Sequence, residues 1–92
     1  MQQSAIDATI SALGLKVKEF CDDPAAFGSW YVIVARERDV LRVAYDGREH
    51  MLFLAKRSMF YKWIDLQFKH FYEPSDRELL ALTTTWLSQP VT

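Results

Sequence analysis

Cysteine is nearly absent from this chain of 92 residues. A single thiol, Cys21, cannot build a disulfide framework or a four-thiolate zinc site, and an unpaired thiol fits a reducing compartment. Glycine and proline are scarce too, with three of each. That excludes collagen-like and low-complexity chains and leaves little material for long irregular loops. Three isolated glycines cannot form a glycine-rich phosphate loop. No apolar run approaches the roughly 18 residues of a membrane-spanning helix. Met1-Gln2-Gln3-Ser4-Ala5-Ile6-Asp7 has neither the basic start nor the apolar stretch of a signal peptide, so the expected location is cytoplasmic. An excess of one charge is also missing. The 11 Lys and Arg face 12 Asp and Glu, a net of −1, and such a balance provides no gross attraction to DNA or to a membrane surface.

Apolar and aromatic residues are abundant instead: half the chain is hydrophobic, with 3 Trp, 4 Tyr and 6 Phe. The composition is globular, and the length suits one domain over residues 1–92. Residues 4–22 place Ile6, Ile10, Leu13, Val17 and Phe20 at steps of four and three, which predicts an N-terminal helix. Ser4 and Asp7 have the spacing of a capping box. Asp22-Asp23-Pro24 ends the segment, because the residue before proline is pushed out of the α region. Gly14 costs such a helix about 1 kcal/mol relative to alanine, and marks either a close helix–sheet contact or a break. Residues 30–36 (Trp-Tyr-Val-Ile-Val-Ala-Arg) are apolar on both faces, as in a central strand covered on both sides. Residues 40–45 and 49–56 predict two more strands. Asp46-Gly47 between them predicts a tight type I′ hairpin turn with Gly47 at positive φ.

Residues 57–72 satisfy two templates. Phe60, Trp63, Ile64, Phe68 and Phe71 fit a helical stripe, whereas residues 64–69 alternate apolar and polar. The aromatic load favours a fourth strand over 62–71. Ser75 and Glu78 then form a capping box ahead of Leu79, Leu80, Leu82, Trp86 and Leu87, and Gln89-Pro90 ends that helix. The prediction is an α+β fold: a four-stranded antiparallel sheet flanked by N- and C-terminal helices, in the order α-β-β-β-β-α. Three strands with an additional helix at about 58–71 are the alternative. Ile10, Leu13, Val17, Ile33, Val43, Leu54, Leu79 and Leu82 are the expected core.

Little in the sequence suggests catalysis. Asp46, Arg48, Glu49 and His50 combine acid, base and imidazole, but a hairpin tip accounts for all four, and strand alternation sends Glu49 and His50 to opposite faces. His50, His70 and Cys21 are not at chelating spacings. Cys21 lies beside Asp22 and Asp23 rather than beside the cations that activate a nucleophilic thiol. No enzyme, metal or cofactor is expected.

Charge is unevenly spread along the chain. Residues 1–28 net −2, 29–57 net +2, 58–72 net +1 and 73–92 net −2, so the strands read as basic and the helices as acidic. Between residues 56 and 72 cations interleave with aromatics. Phe68 and Phe71 read as core. Tyr61, Trp63 and Tyr72 are the expected anchors of a partner-binding face, with Lys62, Lys69 and His70 as its polar surroundings, because aromatics beyond what the core absorbs mark interaction sites. The expected partner is another protein, with no membrane contact. A single-stranded nucleic acid stacked on a basic-aromatic sheet is the alternative, opposed by the net charge. The acidic stretch Glu19, Asp22 and Asp23 is the next candidate contact, and a homodimer stays open.

The segment Gly28-Ser29-Trp30-Tyr31-Val32 followed by Leu41-Arg42-Val43-Ala44-Tyr45-Asp46-Gly47-Arg48-Glu49 resembles strands of small bacterial immunity proteins of toxin–immunity systems. The resemblance covers the middle third of the chain and carries over no functional residue. It implies a small, cytoplasmic, non-enzymatic protein that binds and occludes a cognate toxin. The helix–strands–helix order is also similar to type III secretion chaperones, which are usually longer and more acidic, and it implies an adaptor role.

Overall fold

The computed structural model describes residues 1–90. It is α+β, in the order α1 (Gln3–Ala12), β1 (Lys16–Asp23), β2 (Ser29–Arg36), β3 (Asp39–Asp46), β4 (Met51–Arg57), β5 (Trp63–His70) and α2 (Asp76–Ser88). The strands form one five-stranded antiparallel meander in sequence order. The sheet therefore has five strands, where four are expected from the sequence. Among the described residues no helix is long and apolar enough to cross a membrane.

The extra strand comes out of the expected first helix. α1 stops at Ala12 because Gly14 takes φ +73°. The N–H of Leu15 then donates to Ile10 O and that of Gly14 to Ser11 O, the paired bonds of a Schellman end. Residues 16–23 continue as β1. A bulge between Val17 and Glu19 lets Val17 and Phe20, three residues apart, both turn toward the core. That spacing is what imitates a helical stripe in the sequence. The expected Ser4 cap is also absent: the N-cap is Gln2, with no side-chain hydrogen bond.

The β3–β4 connection differs from the two-residue turn predicted at Asp46-Gly47. It is a four-residue loop over residues 47–50, and His50 rather than Gly47 adopts positive φ (53°). The Asp46 carboxylate accepts hydrogen bonds from the backbone N–H of Arg48 and Glu49. Glycine is needed at 47 for space, since a Cβ there would lie 1.9 Å from the carbonyl oxygen of Phe27. The segment over 62–71 is a strand, β5, and the alternative helix does not form. The Ser75–Glu78 capping box starts α2 as expected.

Both helices lie on one face of the sheet. Ile6 and Ile10 of α1 and Leu79, Trp86 and Leu87 of α2 close over Trp30, Val32, Val34, Leu41, Val43, Leu52 and Leu54. Of the expected core, Ile10, Val43, Leu54 and Leu79 are buried, and Leu13, Val17 and Leu82 pack at its margin. Ile33 is different. It is half-buried and turned toward the opposite face, because alternation along β2 commits Val32 and Val34 to the helices.

Candidate interaction surface

Among the described residues no helix covers the second face, and the strand register lays out its side chains in rows. Glu19, Ile33, Arg42, Ala55 and Asp65 are successive cross-strand partners. Cys21, Tyr31, Ala44, Phe53 and Phe68 form the next row. The apolar character of both faces of β2 predicted cover on both sides. Cover is present on one side only, so a predominantly apolar surface is left open.

Arg42 sits in the middle of β3, the central strand. Its guanidinium stacks 4.6 Å from the ring centroid of Trp63, and its Nε is shielded from solvent without a hydrogen-bond partner. Among the described residues no carboxylate lies within salt-bridge distance of it; the ion pairs there are Lys56–Asp39 (3.3 Å) and the N-terminal ammonium with Asp22 (3.1 Å). Phe53 and Phe68 pair at 6.4 Å between ring centroids. The Tyr31 hydroxyl donates to the Glu19 carboxylate. That hydrogen bond to a neighbouring negative charge holds the Tyr31 phenol above its ordinary pKa. Tyr45, against the core, is raised chiefly by burial. A depression of about 510 Å³ on the open face is lined by Cys21, Tyr31, Ala44 and Phe53, among others.

The six residues expected to bind a partner are not one cluster. Tyr61 and Lys62 lie in the exposed β4–β5 turn, and half-buried Trp63 begins β5. Lys69, His70 and Tyr72 lie at or beyond the other end of that strand, about 20 Å away. Only Trp63 joins Arg42. Phe71 is buried as expected, but Phe68 is 67% exposed, because β5 is an edge strand and its open-face side chain has a neighbour on one side only. Arg42, Tyr31, Ile33 and Phe53 were not expected in the site. A lone cation inside the apolar run Val40-Leu41-Arg42-Val43-Ala44 is the one sequence signal of it, and the expected site leaves it out.

The fold also sorts charge by end rather than by element. At the end holding the β2–β3 and β4–β5 turns, Lys16, Arg36, Arg38, Lys56, Arg57 and Lys62 face Glu37 and Asp39, a side-chain net of +4. At the opposite end Asp22, Asp23, Asp46, Glu49, Glu73, Asp76 and Glu78 outnumber Arg48, Lys69 and Arg77, a net of −4. α2 runs from the acidic end to the basic end, where Arg36 donates to the carbonyls of Leu87 (2.9 Å) and Gln89. Acids thus meet its positive terminus and a cation its negative one, which stabilises the separation.

Among the described residues no three His, Cys, Asp or Glu side chains are grouped to hold a metal ion. In comparison with known proteins, no family model, no curated protein and no solved structure matches the chain.

Proposed function

We propose that the chain is a non-enzymatic protein-binding module that engages its partner through the open face of its sheet. The observation carrying this proposal is Arg42: a cation with no acidic partner among the described residues, stacked on Trp63, at the centre of an apolar and aromatic surface. Arg42 is half-buried with its Nε shielded; a partly desolvated charge is stabilised when a partner brings an opposite charge to it, and arginine and aromatic residues dominate binding hot spots. The complement is a protein surface that places a carboxylate over Arg42 and apolar groups against Tyr31, Phe53 and Phe68.

A second copy of this chain fits poorly. A two-fold axis through β3 would bring Arg42 against Arg42. Single-stranded nucleic acid is also disfavoured, because Glu19 and Asp65 offset Arg42 and Arg57 on this face. The resemblance of the middle strands to immunity proteins makes a toxin the partner class to test first, with the module acting by occlusion.

The test is titration calorimetry against the protein captured by the chain from its source cells, a toxin domain encoded by a neighbouring gene being the first to try. Arg42→Ala and Phe68→Ala should each weaken binding by about thirtyfold, or about 2 kcal/mol, at an unchanged melting temperature. Wild-type affinity in both variants contradicts the proposal.

A further inference from the structure

The β4–β5 turn is unlike the rest of the surface. Met59, Phe60 and Tyr61 are 84%, 78% and 78% exposed, three consecutive apolar side chains at the tip of a hairpin. The tip is held in shape from within. Ser58 N–H donates to Lys62 O (2.7 Å) and Tyr61 N–H to Ser58 O (2.9 Å). Ser58 Oγ accepts from the N–H of Phe60 and Lys62. Arg57 stacks 5.3 Å from the Tyr61 ring. The turn is therefore built to present these groups, and little conformational entropy is left to lose when they are buried.

This tip projects from the basic end of the molecule. From His50 to Ile64 the chain has no acidic residue, and Arg57, one residue before the apolar tip, and Lys62, immediately after it, stand on either side. A convex apolar tip backed by cations suits a deformable surface with an apolar interior and anionic headgroups. Phenylalanine and tyrosine settle at the boundary while lysine and arginine stay at headgroup level. A protein groove, by contrast, would need a concavity shaped to three protruding side chains. We propose that the β4–β5 turn docks on an anionic lipid bilayer, inserting Met59, Phe60 and Tyr61 into the interface with Arg57 and Lys62 against the headgroups. This goes beyond the protein-binding role, and it reverses the expectation of no membrane contact. That expectation rested on a net charge which the fold resolves into opposite ends. Docked in this way, the protein commits Arg57 at the rim of the open face and keeps the rest of that face, with Arg42 and Phe68, and the acidic end free.

The test is sedimentation of the full chain with vesicles of phosphatidylcholine containing about 30% phosphatidylserine, against vesicles of phosphatidylcholine alone. Wild type should partition onto the anionic vesicles and be released as salt rises to about 0.5 M. Phe60→Ser should lower the partition coefficient about tenfold, through lost apolar insertion. Lys62→Glu should lower it by a similar factor on anionic vesicles only. Both positions are exposed, so both variants fold. Arg42→Ala should bind vesicles like the wild type, which separates this proposal from the protein-binding one. No binding to anionic vesicles, equal binding to both compositions, or wild-type binding by Phe60→Ser and Lys62→Glu each overturn the proposal.

Discussion

The two faces of the sheet are built from the same strands and the same alternation, yet they end in different environments. In β4, Leu52 and Leu54 point into the helix-covered core, while Phe53 between them lies half-buried on the open side. In β3, Leu41 and Val43 are buried and Arg42 between them stacks on Trp63. Neighbouring residues thus contribute to different things. One face supplies the cohesion of the fold, and the other holds apolar and aromatic area that the chain itself does not cover. Two helices are enough for one side of a five-stranded sheet, and the open side is the surface left free for the proposed partner.

The largest effect should separate adjacent residues of one strand. Leu54→Ala removes a buried side chain and should cost about 2–5 kcal/mol in urea unfolding, whereas Phe53→Ala should cost only about 1 kcal/mol. Equal losses would mean that both faces stabilise the fold alike. An intermediate effect comes from the loop at the acidic end. Gly47→Ala should destabilise by about 1–3 kcal/mol, because the added methyl must displace the Phe27 carbonyl. Thermal melting at the wild-type temperature would show that the β1–β2 loop can move aside.

The smallest effect distinguishes two phenols on opposite sides of the sheet. Tyr31 and Tyr45 both titrate above the ordinary 10.0, the first mainly through the Glu19 carboxylate, the second mainly through burial. A raised folded-state pKa contributes stability that is present below the unfolded pKa and lost as pH rises through the folded value. Stability should therefore hold up to about pH 10 and decline above it. Glu19→Gln should return Tyr31 toward the ordinary value and leave Tyr45 where it is, as followed by NMR titration of the ring resonances. Movement of both would place Glu19 in contact with the core side as well.

Much of this architecture is written locally in the chain. The Ser75–Glu78 capping box and the β-branched run of β2 each act through neighbours in sequence. The alternation over 64–69 marks β5 as a strand, but a bulge opposite Leu54 and Ala55 interrupts it, so Leu66 packs at the core while Phe68 lies on the open face. β1 was hidden because its bulge gives Val17 and Phe20 the three-residue step of a helix, with Gly14 the one local sign that the helix ends. The site was legible only in part. Trp63 belongs to it, but its partner Arg42 lies on a strand two positions across the sheet, a pairing set by register rather than by spacing. The charge separation was invisible for the same reason. Counting by segment divides strands from helices, whereas an antiparallel meander gathers alternate turns at each end and sorts acids from bases there.

The central claim is that the open face binds and does not hold the fold together. The most direct measurement pairs the affinity of Arg42→Ala for its protein partner with its unfolding in urea. The structure predicts about thirtyfold weaker binding at nearly unchanged stability. Unchanged binding, or a loss of stability comparable to that of Leu54→Ala, would contradict it.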